Sequence, residues 1–183
     1  IGEKMAEKIR SKGGRVHLNS RVTRVYLNRD KIEGVSYLKD SKENKISGDF
    51  FISTIPLPEF VKKIEPAVDK KYLEVAHSMK FRSLRFLNIL IDAEQISDNT
   101  WIYIPEEKYI FMRVQEPRNW YHTNSPPGKT SLILEIACNV GDPIWNTDEK
   151  EIFNRCMKDL EILKLTHGER VIDCFTTRIE HAY

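Results

Sequence analysis

The segment Tyr109-Ile110-Phe111-Met112-Arg113-Val114-Gln115-Glu116-Pro117-Arg118-Asn119-Trp120 gathers charged and aromatic side chains that could contact a ligand. Within it, Arg113 and Glu116 read either as ligand-facing groups or as an ion pair at a strand edge, and an exposed pair of that kind contributes little to stability. Arg85 stands between Leu84 and Phe86. If those neighbours are buried on a regular strand, Arg85 points the other way, toward a solvated face. Trp101, Tyr103 and Tyr109 either line an apolar cavity or, at alternate strand positions, form core. These residue types bind and orient; none is placed as a nucleophile or as a general acid or base.

Other chemistries find no support in the residues. There is no P-loop, no GxSxG, no GxGxxG after a strand and no cysteine with a placed histidine. Cys138, Cys156 and Cys174 stand singly, and the five histidines show no ligand spacing, so no metal is expected. Isolated thiols of this kind read as reduced core residues of an intracellular, cytoplasmic chain. Lys and Arg total 29 against 27 acidic residues, a net charge of +2 spread along the chain, which does not mark a nucleic-acid surface. The apolar runs 87–91 and 132–137 are far shorter than the roughly 20 residues of a membrane-spanning helix. With 183 residues, 40% of them hydrophobic, the chain can bury one sizeable core or two smaller ones.

The elements that must position those residues follow from periodicity. Ile1, Met5 and Ile9 recur at helical spacing and Gly13-Gly14 stops the helix. Residues 15–18 and 21–27 read as strand, 28–31 as a turn, 32–38 as the return strand and 45–47 as a short strand. Residues 49–54 form an apolar strand that ends at Pro56. Short helices are expected after Pro56, carrying Phe60, Val61 and Ile64, and over 69–77. Strands follow over 82–91, 100–104, 109–114, 131–137 and 170–177. Residues 119–128, with Pro126-Pro127 before Gly128, form an ordered surface loop. Asn146-Thr147-Asp148-Glu149 caps a helix whose apolar face is Ile152, Phe153, Cys156, Met157, Leu160 and Leu163, with Lys164 and Gly168 at its end. The fold class is α+β, a mixed and largely antiparallel sheet covered by helices, preceded by a β-meander.

One succession is familiar: helix, Gly-Gly, the strand around Ser20-Arg21-Val22, the return strand Ile32-Glu33-Gly34-Val35, then 49–56. It resembles the middle of flavin amine oxidases, phytoene desaturases and protoporphyrinogen oxidases. In those enzymes the segment like Gly14-Arg15-Val16-His17-Leu18-Asn19-Ser20-Arg21-Val22 carries a valine whose backbone meets the adenine of FAD. The strand like Phe51-Ile52-Ser53-Thr54-Ile55-Pro56 passes the same end of the cofactor. The resemblance therefore implies that Val22 and Thr54 bind FAD, although read alone each is a core or strand-end residue. Residues 109–120 look like a segment of UDP-galactopyranose mutases that faces the nucleotide sugar. By that likeness Arg113 and Glu116 are candidate substrate-binding residues, and an arginine fork suits a diphosphate. Arg85 and Tyr103 of the same expected sheet are further substrate-binding candidates.

The resemblance implies a division into residues 1–56, part of an FAD-binding domain, and residues 57–183, a substrate-binding domain. The intact protein would be an FAD-dependent oxidoreductase acting on a small-molecule substrate. A mutase-like flavoprotein isomerase and a stand-alone α+β binding module are the alternatives. Both ends read as cut, the pyrophosphate-gripping glycines are missing, and the 183 residues alone are expected to hold FAD poorly and to self-associate through an uncovered apolar face.

Overall fold

The computed structural model describes residues 1–166 and 169–183, which divide into two compact units, Ile1–Met79 and Lys80–Tyr183. It is an α+β architecture. The first unit opens with helix α1 (Gly2–Ser11), whose Ile1, Met5 and Ile9 are all exposed, so its apolar stripe is uncovered. Gly13 at φ +81° ends it, with the Gly13 and Gly14 amides donating to the Arg10 and Ile9 carbonyls. Residues 15–18, expected as strand, lie outside the ladder, which begins at β1 (Arg21–Asn28). β1 turns at Arg29, φ +53°, into antiparallel β2 (Lys31–Lys39), and β3 (Lys42–Ser47) follows. Gly34 is required on β2. A Cβ there would stand 2.7 Å from the Ile46 carbonyl oxygen on β3.

Residues 49–54, expected as a strand, form none and have no strand partner among the described residues. A strand exists only through its ladder, and this apolar segment has no neighbour to pair with. Phe50 and Ile52 are consequently 94% and 95% exposed. Helix α2 (Leu57–Val61) starts after Pro56, as its fixed φ favours. Ile64 is not on that helix; it lies in β4 (Ile64–Glu65), which pairs in parallel with β1. The sheet order is β3-β2-β1-β4. Helix α3 (Lys70–Ser78) is capped by Asp69, whose side chain accepts from the Lys71 amide. β4 ties this stretch to the first sheet, and the compact units part after Met79.

The second unit is an antiparallel five-stranded sheet of order β6-β7-β8-β5-β9, formed by β5 (Ser83–Ile91), β6 (Trp101–Tyr103), β7 (Arg113–Gln115), β8 (Thr130–Cys138) and β9 (Val171–Ile179). Helix α4 (Pro143–Asn146) leads into helix α5 (Glu149–Ile162), whose N-cap Asp148 accepts from the Glu151 amide at 2.9 Å. Ile152, Cys156 and Leu160 of α5 are fully buried and share one core with Leu87, Ile89 and Ile91 of β5 and Leu132, Leu134 and Ile136 of β8. One face of the sheet is thereby covered. Residues 163–165 close α5 with Lys164 at φ +56°. Gly168, expected in that stop, lies outside the described residues.

Candidate functional site

Each unit carries one candidate site. In the first, Val22, Val25, Ile32 and Val35 of β1 and β2 form one wall of an open cavity of about 240 Å³, and Phe51, Ile52, Ser53, Thr54, Ile55 and Phe60 complete it. Strand pairing explains the first wall, because Val25 and Val35 are cross-strand partners and Val22 lies on the same strand. Val22 and Thr54 meet there. The lining is almost wholly apolar, which suits the flat face of an aromatic ring more than a charged group.

In the second unit the sheet face away from α5 carries the other group. Register places Trp101 opposite Gln115, Tyr103 opposite Arg113 and Arg113 opposite Glu135, and directly opposed side chains share a face. Arg113 Nη2 lies 2.7 Å from both carboxylate oxygens of Glu135, and Gln115 donates to the same carboxylate. Glu135 is 1% exposed and Arg113 16%. Arg113 Nη1 also donates to the Tyr103 hydroxyl at 3.2 Å, and the guanidinium lies 5.1 Å and 5.5 Å from the Trp101 and Tyr103 ring centres. The Glu135 hydrogen bond, foremost, raises the Arg113 pKa above its ordinary value. The arginine is held charged and flat.

Two sequence expectations fail here. Arg113 pairs with Glu135 rather than with Glu116, which is 2% exposed and accepts from the Ile96 and Ser97 amides at 2.8 Å each and from Thr130 Oγ1 at 2.7 Å. The sheet alternation explains it, since Glu116 lies beyond the end of β7 and turns into the loop that its own side chain ties down. Nor does Arg85 face solvent. It shares the α5 side of β5 with Leu87, Ile89 and Ile91, is fully buried, and donates to the carbonyls of Ile144 at 3.0 Å and Thr147 at the end of α4. Burial, and then the neighbouring Arg178, lowers its pKa. Tyr103 and Arg113 are thus brought together, while Glu116 and Arg85 are bound into the frame. Glu135 was missed, though a lone carboxylate inside the apolar run 132–137 was a readable signal.

Residues 2–175 match the family described as flavin containing amine oxidoreductase. The chain belongs to that family. No curated protein matches it. Among solved structures, a reduced UDP-galactopyranose mutase superposes with a TM-score of 0.76 at 19% identity, covering 99% of this chain and 38% of the mutase. An oxidoreductase from Methanosarcina mazei gives 0.71 at 17%, covering 98% of this chain and 42% of that one. Wild-type putrescine oxidase bound to putrescine gives 0.66 at 13%, covering 99% and 39%. At such identities the likeness is one of fold. The chain spans less than half the length of each of these structures.

The mostly apolar lining of the first-unit cavity has the chemistry to accept the aromatic end of a flavin cofactor. Its open wall of valine and isoleucine side chains offers an aromatic ring a stacking surface. Among the described residues no three His, Cys, Asp or Glu side chains gather as metal ligands, and no helix is long and apolar enough to cross a membrane.

Proposed function

We propose that this chain is part of an FAD-dependent oxidoreductase, supplying the adenine-side meander in its first unit and the substrate-binding sheet in its second. The observation that carries the reading is that Val22 and Thr54, named from the family resemblance, line a single apolar cavity. In this reading Val22 and the 51–55 segment hold the adenine end by packing and backbone contact. FAD, when bound, supplies the redox chemistry, accepting a hydride equivalent from the substrate. This chain's own residues orient and desolvate: Trp101 and Tyr103 offer ring surface, and Arg113, fixed by Glu135, orients polar groups. In this reading residues 1–56 belong to the FAD-binding domain and residues 57–183 to the substrate-binding domain.

The test is flavin retention by the longer protein that contains this chain. It should purify yellow, and Val22→Glu should cut flavin occupancy about tenfold or more while the melting of the second unit is unchanged. A colourless longer protein, or a Val22→Glu variant with full flavin, removes the reading. An isomerase acting on a nucleotide sugar is the second reading, favoured by the exposed ring surface of Trp101 and Tyr103. Incubating the reduced flavoprotein with UDP-galactose separates the two, since only an isomerase changes the sugar ring size without net oxidation.

A further inference from the structure

The Arg113 guanidinium has little charge left to offer. Its Nη2 is bound to both oxygens of Glu135, its Nη1 meets the Tyr103 hydroxyl, and its Nε is buried without a partner and so is turned away from any ligand on the open face. Glu135 is itself buried and receives a second donor from Gln115, so the ion pair is held from both ends. To an approaching ligand the pair is a dipole of zero net charge, and a dipole attracts an anion far more weakly than a lone guanidinium does. Around it lie the exposed rings of Trp101 and Tyr103, with Trp101 edge-on to Trp120 at 4.8 Å. Neutral charge and exposed ring surface are complementary to an uncharged, ring-bearing molecule.

We infer that Glu135 is the specificity-determining residue of this face: by neutralising Arg113 it reserves the site for uncharged, ring-bearing ligands and turns away phosphorylated ones. The inference rests on the reading that this face receives the substrate, but its test needs no flavin. Uridine, UDP and inorganic pyrophosphate are titrated into the full chain and followed by calorimetry and tryptophan emission. The wild-type chain should gain nothing from the phosphates, binding UDP within about threefold of uridine and leaving pyrophosphate unbound. Glu135→Gln keeps the shape and one acceptor while freeing the positive charge. It should bind UDP and pyrophosphate about tenfold or more tighter than wild type, and adding Arg113→Gln should erase the gain. A wild-type chain that shows no response to uridine overturns the assignment of this face to uncharged, ring-bearing ligands. Arg113-dependent pyrophosphate binding by the wild-type chain overturns it, and that comparison holds even where Glu135→Gln does not fold. A folded Glu135→Gln chain that gains no anion affinity overturns it as well. Loss of flavin from the longer protein would strike the proposed oxidoreductase and leave these titrations untouched.

Discussion

The carboxylate of Glu116 accepts a 2.7 Å hydrogen bond from the buried hydroxyl of Thr130, so one side chain pins the end of β7 to the start of β8. The same carboxylate takes the amides of Ile96 and Ser97 and fixes the loop before β6. Glu116→Ala strands these donors and should cost about 3 kcal/mol, with Glu116→Gln costing less because one carbonyl oxygen remains. Equilibrium urea unfolding measures both. An unchanged midpoint for Glu116→Ala would contradict the assigned role.

Arg85 closes the end of α4 through the Ile144 and Thr147 carbonyls. Arg85→Ala removes a buried stem and orphans those acceptors, so a loss of about 3 kcal/mol is expected. The fold disfavours the charged form, since burial and then Arg178 lower the Arg85 pKa below its ordinary value. That unfavourable contribution persists below the folded value and is relieved only in strong alkali. Arg85 therefore adds no slope to stability around neutral pH, and an Arg85-dependent change in unfolding free energy between pH 6 and pH 8 would be inconsistent with this environment.

Burial pushes the Cys156 thiol up to about 12 from 9.0, with nearby Asp159 adding to it. An acid whose folded pKa is raised stabilises the fold fully below its unfolded value, and that stability drains away as pH rises toward the folded value. Between pH 9 and pH 12 the chain should lose about 1.4 kcal/mol per pH unit from this thiol, and Cys156→Ala should flatten that part of the profile. At pH 8 a disulfide reagent should modify half-buried Cys174 first, with Cys138 and Cys156 protected until unfolding. Prompt labelling of Cys156 in the folded chain would refute its burial.

Phe50 and Ile52 stand almost fully in solvent on the unpaired 49–54 segment. Phe50→Asp with Ile52→Asp should change stability by less than about 0.5 kcal/mol, because neither ring nor side chain is packed. The double variant should scatter less light at high concentration if these residues drive self-association. A marked drop in melting temperature would show that the segment is packed after all.

Local pattern alone determined the helix of residues 149–162 and most of the strands, because a capped 3.6-residue periodicity and β-branched runs between turn residues are signals carried within a short window. It also determined the α+β class, while the order of the opening elements carried the resemblance to the family that the match over residues 2–175 shows. What it could not determine was which face a charged residue takes or which partner it finds. Arg85 looked outward by alternation from Leu84 and Phe86, yet the apolar series of β5 runs through Leu87, Ile89 and Ile91 and carries Arg85 inward. Arg113 had an acidic neighbour at Glu116 in sequence and found Glu135 across the sheet instead. Residues 49–54 have the composition of a strand without a partner to make them one. Register and pairing join residues far apart in the chain, so tertiary structure decided the charge balance of the open face.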